Sequence, residues 1–376
     1  MKILIATDSF KGSMTSNEVA GFLESGFKTI DEELEIIKVP ISDGGEGLVD
    51  SLISSNNGKR VELNVTGPLG KEISSYYGLS EDGKTAYIEV ATAIGLYLLN
   101  ENERNPMNTT TYGVGELILD AVGKGCNNII VGLGGSSTND GGMGMARALG
   151  VRFLSKTGEE LLGYGKELEL VNKIDLSNMP SVLKAVNFKI ACDVDNPLTG
   201  ENGATYVFSP QKGANTEMMV ELEKGMLNYQ AVIEETLKSD ISKTRGGGAA
   251  GGLGAAFLSY LDGKMVQGIK LVIAETKLEE KIKTADLIIT GEGKIDNQTL
   301  YGKVPVGISS LGKKYNKKTI AIAGKVDIEN EDLFDCGIED IICITPEGMM
   351  LEDAMKRAKE NTFNIAKVIY EKYIKL

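Results

Sequence analysis

The sequence predicts an α/β protein, in which a Rossmann-like, parallel, doubly wound domain is interrupted by an inserted α+β domain with a mixed sheet. Apolar runs of strand length alternate with helical spacing at both ends of the chain, as in a sheet built from successive βα units. In part of the middle, apolar and polar residues alternate between short turns, as in antiparallel strands. Several strand-like runs end in loops of Gly, Asp, Ser and Asn, the composition expected where the carboxyl edge of a parallel sheet holds a ligand.

Residues 2–7 (Lys-Ile-Leu-Ile-Ala-Thr) read as the first buried strand. A helix follows, with Ser16 as its cap and Val19, Phe22, Leu23 and Phe27 at helical spacing. Residues 35–40 make the second strand, and 43–47 (Asp-Gly-Gly-Glu-Gly) open a helix carried by Leu48, Val49, Leu52 and Ile53. Residues 61–65, 73–78 and 85–90 alternate like antiparallel strands. Helix, strand and helix return at 113–124, 128–133 and 142–149. Strands are expected at 188–193 and 204–208, and helices at 217–237 and 252–261. The end reverts to buried strands at 285–290, 319–323 and 340–344, with helices at 306–315 and 351–373. The Rossmann-like domain is therefore expected to comprise 1–66 and 284–376, and the insertion 67–283, with 106–150 fitting either.

A chain of 376 residues exceeds one ordinary core. Its 46 glycines are an excess that lies in the loops, where it serves tight turns and close ligand approach. A net charge of −13, with no Lys/Arg cluster, argues against a nucleic-acid surface. No run approaches the ~18 apolar residues of a membrane span. Residues 1–8 hold too short an apolar run for a signal peptide, so a cytoplasmic protein with no membrane partner is expected. Histidine is absent. That removes Ser-His-Asp hydrolases and histidine phosphocarriers, and leaves proton transfer to Asp, Glu, Lys, Tyr or Cys. Cys126, Cys192, Cys336 and Cys343 make no Cys-x-x-Cys pair, so reduced thiols are expected and a structural zinc site is not.

The glycine- and carboxylate-rich loops carry the chemistry. Bare backbone N–H groups hold phosphates, and nearby carboxylates hold Mg²⁺ or accept a proton, so the chain reads as an enzyme that moves phosphate. In the loop that begins at Asp8 and Ser9, Lys11 suits a phosphate or a carboxylate. Asp43 and Glu46 have capping-box spacing, but a cap alone does not call for the three glycines around them. Loop 132–142 is the densest, and its groups at Gly134, Gly135, Ser136 and Asn139 suit a phosphate at a helix start. Asp193 and Asp195 share a face if the strand runs through them, which suits a divalent cation; an Asx-turn before Pro197 is the plainer use of the same residues. In 291–298, Lys294 suits phosphate, and Glu292 or Asp296 suits Mg²⁺. Two familiar patterns fail on context. Residues 78–85 match G-x-x-x-x-G-K-T but lie between two strand-like runs, as a hairpin turn would. Residues 246–251 match the dinucleotide fingerprint but follow a polar stretch; the bare backbone there suits either a flat ligand or the close approach of two helices.

Taken together, Asp8-Ser-Phe-Lys-Gly-Ser13, Asp43-Gly-Gly-Glu-Gly47, Gly67-Pro-Leu-Gly70, Thr109-Thr-Thr-Tyr-Gly113, loop 132–142, Cys192-Asp-Val-Asp-Asn-Pro-Leu198, Pro210-Gln-Lys-Gly-Ala214, Thr290-Gly-Glu-Gly293 and Gly302-Lys303 resemble the bacterial glycerate kinase family, which is unrelated to P-loop kinases. The motifs run in order through nearly the whole chain. The resemblance implies phosphorylation of D-glycerate by ATP with Mg²⁺, mostly to 2-phosphoglycerate, at a cleft between a Rossmann-like domain and an inserted mixed-sheet domain. On that footing Lys11 or Arg104 is expected to hold the glycerate carboxylate, beside Asp8 and Ser9. N–H groups of 134–139 or of Gly291 and Gly293 should meet the ATP phosphates, with Lys294 next to them. Asp193, Glu292 or Asp296 should carry Mg²⁺, and Asp193 or Asp43 should orient the attacking hydroxyl, with Lys11 in the same catalytic group. Two other readings use the same residues: a kinase for another small hydroxy acid, and a non-catalytic nucleotide or metabolite sensor. The density of carboxylates disfavours the sensor, since a binder gains nothing by repelling its own phosphates.

Overall fold

In a computed structural model that describes residues 1–328 and 331–375, the strands in chain order are β1 (Lys2–Thr7), β2 (Glu35–Lys38), β3 (Lys59–Thr66), β4 (Glu72–Leu79), β5 (Thr85–Glu89), β6 (Asn128–Gly132), β7 (Arg152–Leu154), β8 (Lys173–Asp175), β9 (Asn187–Ala191), β10 (Lys264–Val266), β11 (Leu287–Asp296), β12 (Lys318–Asp327) and β13 (Asp340–Cys343). The chain divides into two units. One holds Met1–Asp43, Asp50–Asn56 and Gly268–Leu376; the other holds Gly44–Val49 and Asn57–Gln267.

The first unit is built on a five-stranded sheet of order β13-β12-β11-β1-β2, parallel throughout. Ile3, Leu4, Ile5 and Ala6 of β1 and Leu287, Ile288 and Ile289 of β11 are fully buried, as the continuous apolar runs of a sheet covered on both faces require. Helix Ser16–Lys28 is closed by Thr15 rather than Ser16: the Thr15 hydroxyl accepts the Glu18 N–H at 3.2 Å, and the Glu18 carboxylate accepts the Thr15 N–H at 2.9 Å. From β1 the chain turns to β2 on one side, whereas β11, β12 and β13 extend the sheet on the other. The carboxyl ends of β1 and β11 therefore flank the point where the connections diverge, the place a doubly wound sheet opens a crevice.

The second unit carries a six-stranded mixed sheet, β10-β9-β6-β5-β4-β3, in which β10, β9, β6 and β5 are parallel and β4 and β3 antiparallel. A small pair, β7 and β8, stands apart. The P-loop-like segment is a hairpin: Gly78 pairs with Tyr87 and Leu79 with Ala86, and the Gly83 N–H donates to the Ser80 carbonyl at 2.9 Å in the turn.

Several expectations shift. Residues 204–208 form helix Ala204–Phe208 rather than a strand; β9 is already paired on both sides, with β6 and β10, so no edge is open to it there. β9 stops at Ala191, so Asp193 and Asp195 are loop residues and share no strand face. The last helix is two, Leu351–Lys356 and Ala358–Tyr373. β11 and β12 run several residues beyond their expected ends, so Gly291 and Glu292 lie in a strand and not in a loop. The unit boundaries also differ from 66 and 284. β3 joins the second sheet along its whole length, and residues 106–150 lie in the second unit. Helices Gly268–Glu275 and Leu278–Thr284 pack on helix Val304–Lys314 in the first. The glycine run 246–254 serves close packing within the second unit: a Cβ on Gly248 would lie 2.3 Å from the Pro197 carbonyl, and one on Gly251 2.0 Å from that of Thr138.

Helices Ser16–Lys28 and Ala358–Tyr373 meet at Gly26, where a Cβ would stand 2.4 Å from the Phe363 carbonyl oxygen and 2.7 Å from the Ala366 Cβ. Alanine improves helix propensity but must push two packed helices apart. Gly26→Ala is therefore expected to destabilise the protein by about 1–3 kcal/mol. A urea titration with its midpoint at or above that of the wild type would contradict this contact.

Candidate functional site

Asp8 extends the β1–β11 pairing by one residue: its N–H donates to the Gly291 carbonyl at 2.8 Å. This holds its carboxyl at the crevice. The side chain is 4% exposed, and one of its oxygens accepts the Ser9 N–H at 2.6 Å. Burial, then the negative charge of Asp43 and more weakly that of Glu292, push the Asp8 carboxyl up to about 7, against the Ser9 N–H and the Lys11 ammonium. Lys11 Nζ lies 3.8 Å from Asp43 Oδ2. Glu292, on β11, is also buried and accepts the Thr299 hydroxyl at 2.5 Å. Burial again raises its carboxyl, with the Thr299 hydrogen bond and Lys303 opposing. The hydroxyls of Thr7, Ser9 and Thr290 are buried in the same region without a protein partner, which marks a place for ligand or water atoms to complete them.

A cavity of about 750 Å³ opens here within the first unit, the size of a small-molecule site. Asp8, Ser9, Lys11, Asp43 and Glu292 occupy one part of it, Lys294, Lys303 and Lys325 stand beside them, and Ile344, Met349, Leu351 and Met355 add an apolar side. The fold thus joins three of the loops read from the sequence, those at 8, 43 and 291. Two members have other duties. Asp296 caps the following turn through the Gln298 N–H at 3.0 Å and pairs with Lys294 at 3.2 Å, while Lys294 also meets Asp327 at 3.1 Å. Asp296 is thus occupied and is a poor metal ligand. Gly291 is paired with Ile322 in the sheet, and a Cβ there would lie 2.2 Å from the Ile322 carbonyl; it is a glycine for strand packing, not for a phosphate cradle.

The second unit has its own polar edge, at the carboxyl ends of β5, β6 and β9. Loop 132–142 divides in two. Gly134 and Gly135 are exposed at its tip, whereas 137–140 are buried at its root. There the Asp140 carboxylate accepts N–H groups of Thr111, Gly142 and Gly144 at 2.7–3.1 Å, and Asn139 is fully buried with its amide on the Thr205 hydroxyl at 3.2 Å. The Asn139 side-chain oxygen is buried without a protein partner. Lys212 is enclosed beneath the loop and donates to the Ser136 hydroxyl at 3.0 Å and the Thr138 carbonyl at 2.7 Å. Burial pushes its ammonium down to about 7 against the pull of Asp140. Asp193 is exposed on the loop after β9, and its neighbour Asp195 is paired with Arg245 at 2.5 Å. Arg104 also belongs to this unit, its Nε buried without a protein partner. Among the described residues, no group of three or more His, Cys, Asp or Glu side chains is arranged to hold a metal ion by itself.

The sequence did not single out Lys212, Lys303 or Lys325. Lys212 and Lys303 stood inside motifs, but as names without a role. Lys325 had one usable signal, its place just past a buried strand at the same sheet edge as Lys294, with which it is in register.

A model of the glycerate kinase family matches residues 3–373. A glycerate kinase of Bacillus cereus is 47% identical over 369 residues, covering 98% of this chain and 97% of that protein. A glycerate 2-kinase of Escherichia coli is 43% identical over 361 residues, covering 96% and 95%. A crystal structure of a protein assigned as glycerate kinase 2 from Salmonella typhimurium LT2 superimposes with a TM-score of 0.89 at 42% identity, over 99% of this chain and 97% of that one.

The Asp8 carboxyl makes a stability prediction whose sign is fixed. Its folded value, about 7, lies above its unfolded value of 3.8. The group therefore favours the unfolded state increasingly as pH rises from about 4 to about 7, and by a constant amount above, on the order of 4 kcal/mol for such a shift. Asp8→Asn removes the charge and keeps an acceptor for the Ser9 N–H. In metal-free buffer it is expected to raise the melting temperature, with a gain that grows between pH 4.5 and pH 7.5. A gain independent of pH, or a loss at pH 7.5, would contradict the burial of this carboxylate.

Proposed function

The chain belongs to the glycerate kinase family and is an enzyme of that kinase class, and we propose on that premise that it transfers the γ-phosphoryl group of ATP, with Mg²⁺, to the 2-hydroxyl of D-glycerate in the cytoplasm. The observation that carries this reading is the crevice between β1 and β11, where buried Asp8 and Glu292, with Asp43, meet a group of lysines in one cavity. Phosphoryl transfer needs alignment and charge neutralisation more than covalent help, and this cavity offers both signs of charge. The name of the Escherichia coli relative supports the 2-position.

In this reading the proton-accepting role passes from Asp193 and Asp43 to Asp8. A carboxyl held near 7 is matched to taking a proton from an alcohol as it attacks. Asp43, close to Asp8, raises the proton affinity of Asp8 and, with Lys11, aligns the substrate. Lys11 holds the glycerate carboxylate; Arg104, the other candidate, belongs to the second unit. Lys303 and Lys325 take the phosphates, and Lys294 joins them by exchanging its ion pairs with Asp296 and Asp327. The Ser9 hydroxyl, buried without a protein partner, and the Glu292 carboxylate, which takes the Thr299 hydroxyl at one oxygen, line this cavity and fit a magnesium–nucleotide complex, since Mg²⁺ keeps waters and takes one or two carboxylates plus phosphate oxygens. Glu292 would hold the ion, which supplies neutralisation of charge on the transferring group.

Purified protein is expected to form 2-phosphoglycerate from D-glycerate and ATP, read by phosphorus NMR of the product, and to stop in excess EDTA. Full turnover in EDTA would sink the metal-dependent reading, and a 3-phosphate product would move the acceptor position. With Asp8→Asn, kcat should fall roughly 10²–10⁴-fold, the usual contribution of a general base. The acid limb of kcat/KM in the wild type should bend near pH 7. Near-normal turnover of Asp8→Asn would remove Asp8 from the chemistry.

A further inference from the structure

The chemistry of the first unit's cavity changes in one direction along the sheet edge, and we infer that it takes the nucleotide with its base on the apolar wall beyond β13 and its phosphates toward the β1–β11 crevice. This orientation rests on the phosphoryl-transfer reading above. The strand order β13-β12-β11-β1 fixes the order of groups. Asp8 and Glu292 stand at β1 and β11. Lys294 and Lys325 stand in register on β11 and β12. Ile344, just past β13, lines the same cavity with Met349 and Leu351, while Met355 reaches back toward Gly12. Adjacent strands lie ~4.8 Å apart, so β1 and β13 are about 14 Å apart across three spacings. A triphosphate gains nothing from an apolar wall, and a purine ring gains nothing among carboxylates. Only one orientation satisfies both ends.

The wall suits a flat ring. Thioethers are polarisable and pack well on aromatic rings, and the Met349 sulfur is held by the Asn361 amide at 3.9 Å. Leu351 and Met355 are 70% and 40% exposed, an apolar surface that a bound base would cover. The Thr345 hydroxyl beside them is already committed to the Gly324 carbonyl at 2.6 Å. The side chains of this wall therefore offer contact area to a ring rather than hydrogen bonds to its edge.

Photolabelling with 8-azidoadenosine triphosphate, with ATP as the protecting ligand, tests the orientation directly. The ATP-protected label is expected in the peptide spanning 344–358. A protected label confined to another peptide, such as that of loop 132–142, would overturn the placement. Leu351→Glu provides an independent reading at an exposed position of the wall, with a thermal melt to check the fold. It is expected to raise KM for ATP by about tenfold or more while KM for glycerate stays within about threefold, the signature of lost nucleotide binding. Inhibition by inorganic tripolyphosphate, which has no base, should be unchanged. A folded variant with wild-type KM for ATP would overturn the placement while leaving the kinase reading intact. If the wild type neither turns over ATP nor takes a protected label, the kinase reading falls and the orientation with it.

Discussion

The burial of the Asp8 carboxyl at the head of β1 is the constraint around which the first unit is organised. A carboxyl enclosed beside Asp43 and Glu292 is opposed by both burial and like charge, each unfavourable to the ionised form. The fold tolerates it because Asp8 is anchored by its backbone to Gly291 and by the Ser9 N–H, and because Lys11 and Lys303 oppose the accumulated negative charge. A site of this kind is not built for stability. It is held in place by the sheet around it, whose fully buried strands bear the energetic burden. The same repulsion that opposes folding makes the crevice receptive to a cationic complex and to a proton.

Much of the fold was legible because its signals are local. Apolar runs at β1, β11 and β12 and the helical spacing after Ser16 need no distant partner to be recognised. What failed depended on neighbours. Ala-Thr-Tyr-Val-Phe at 204–208 has strand-like residues, yet both edges of β9 are occupied, so the segment closes into a helical turn. Gly291 reads as a loop glycine, yet it is small because the Ile322 carbonyl stands against it.

The candidate site divides along the same line. The loops at 8, 43 and 291 were each visible as polar strand ends, and the fold brings them to one cavity. Their roles were not visible. Asp8 and Glu292 come from opposite ends of the chain and meet only through the β1–β11 pairing, and the burial that chiefly raises the Asp8 carboxyl, ahead of the Asp43 and Glu292 charges, exists only in the assembled crevice. Loop 132–142 shows the converse. Its composition promised a phosphate cradle throughout, but Asp140 is consumed in holding the loop together, and Lys212 is enclosed beneath it. Only the glycine tip is left exposed.

The most direct test of this account is the ionisation of Asp8 in the metal-free protein. Incorporation of aspartate labelled with carbon-13 at the side-chain carboxyl gives an NMR resonance that Asp8→Asn should delete and thereby assign. That resonance is expected to titrate near pH 7, well above the ordinary range for aspartate. Titration near pH 4 would mean that the crevice is open to water in solution, and the proton-accepting role built on it would be lost.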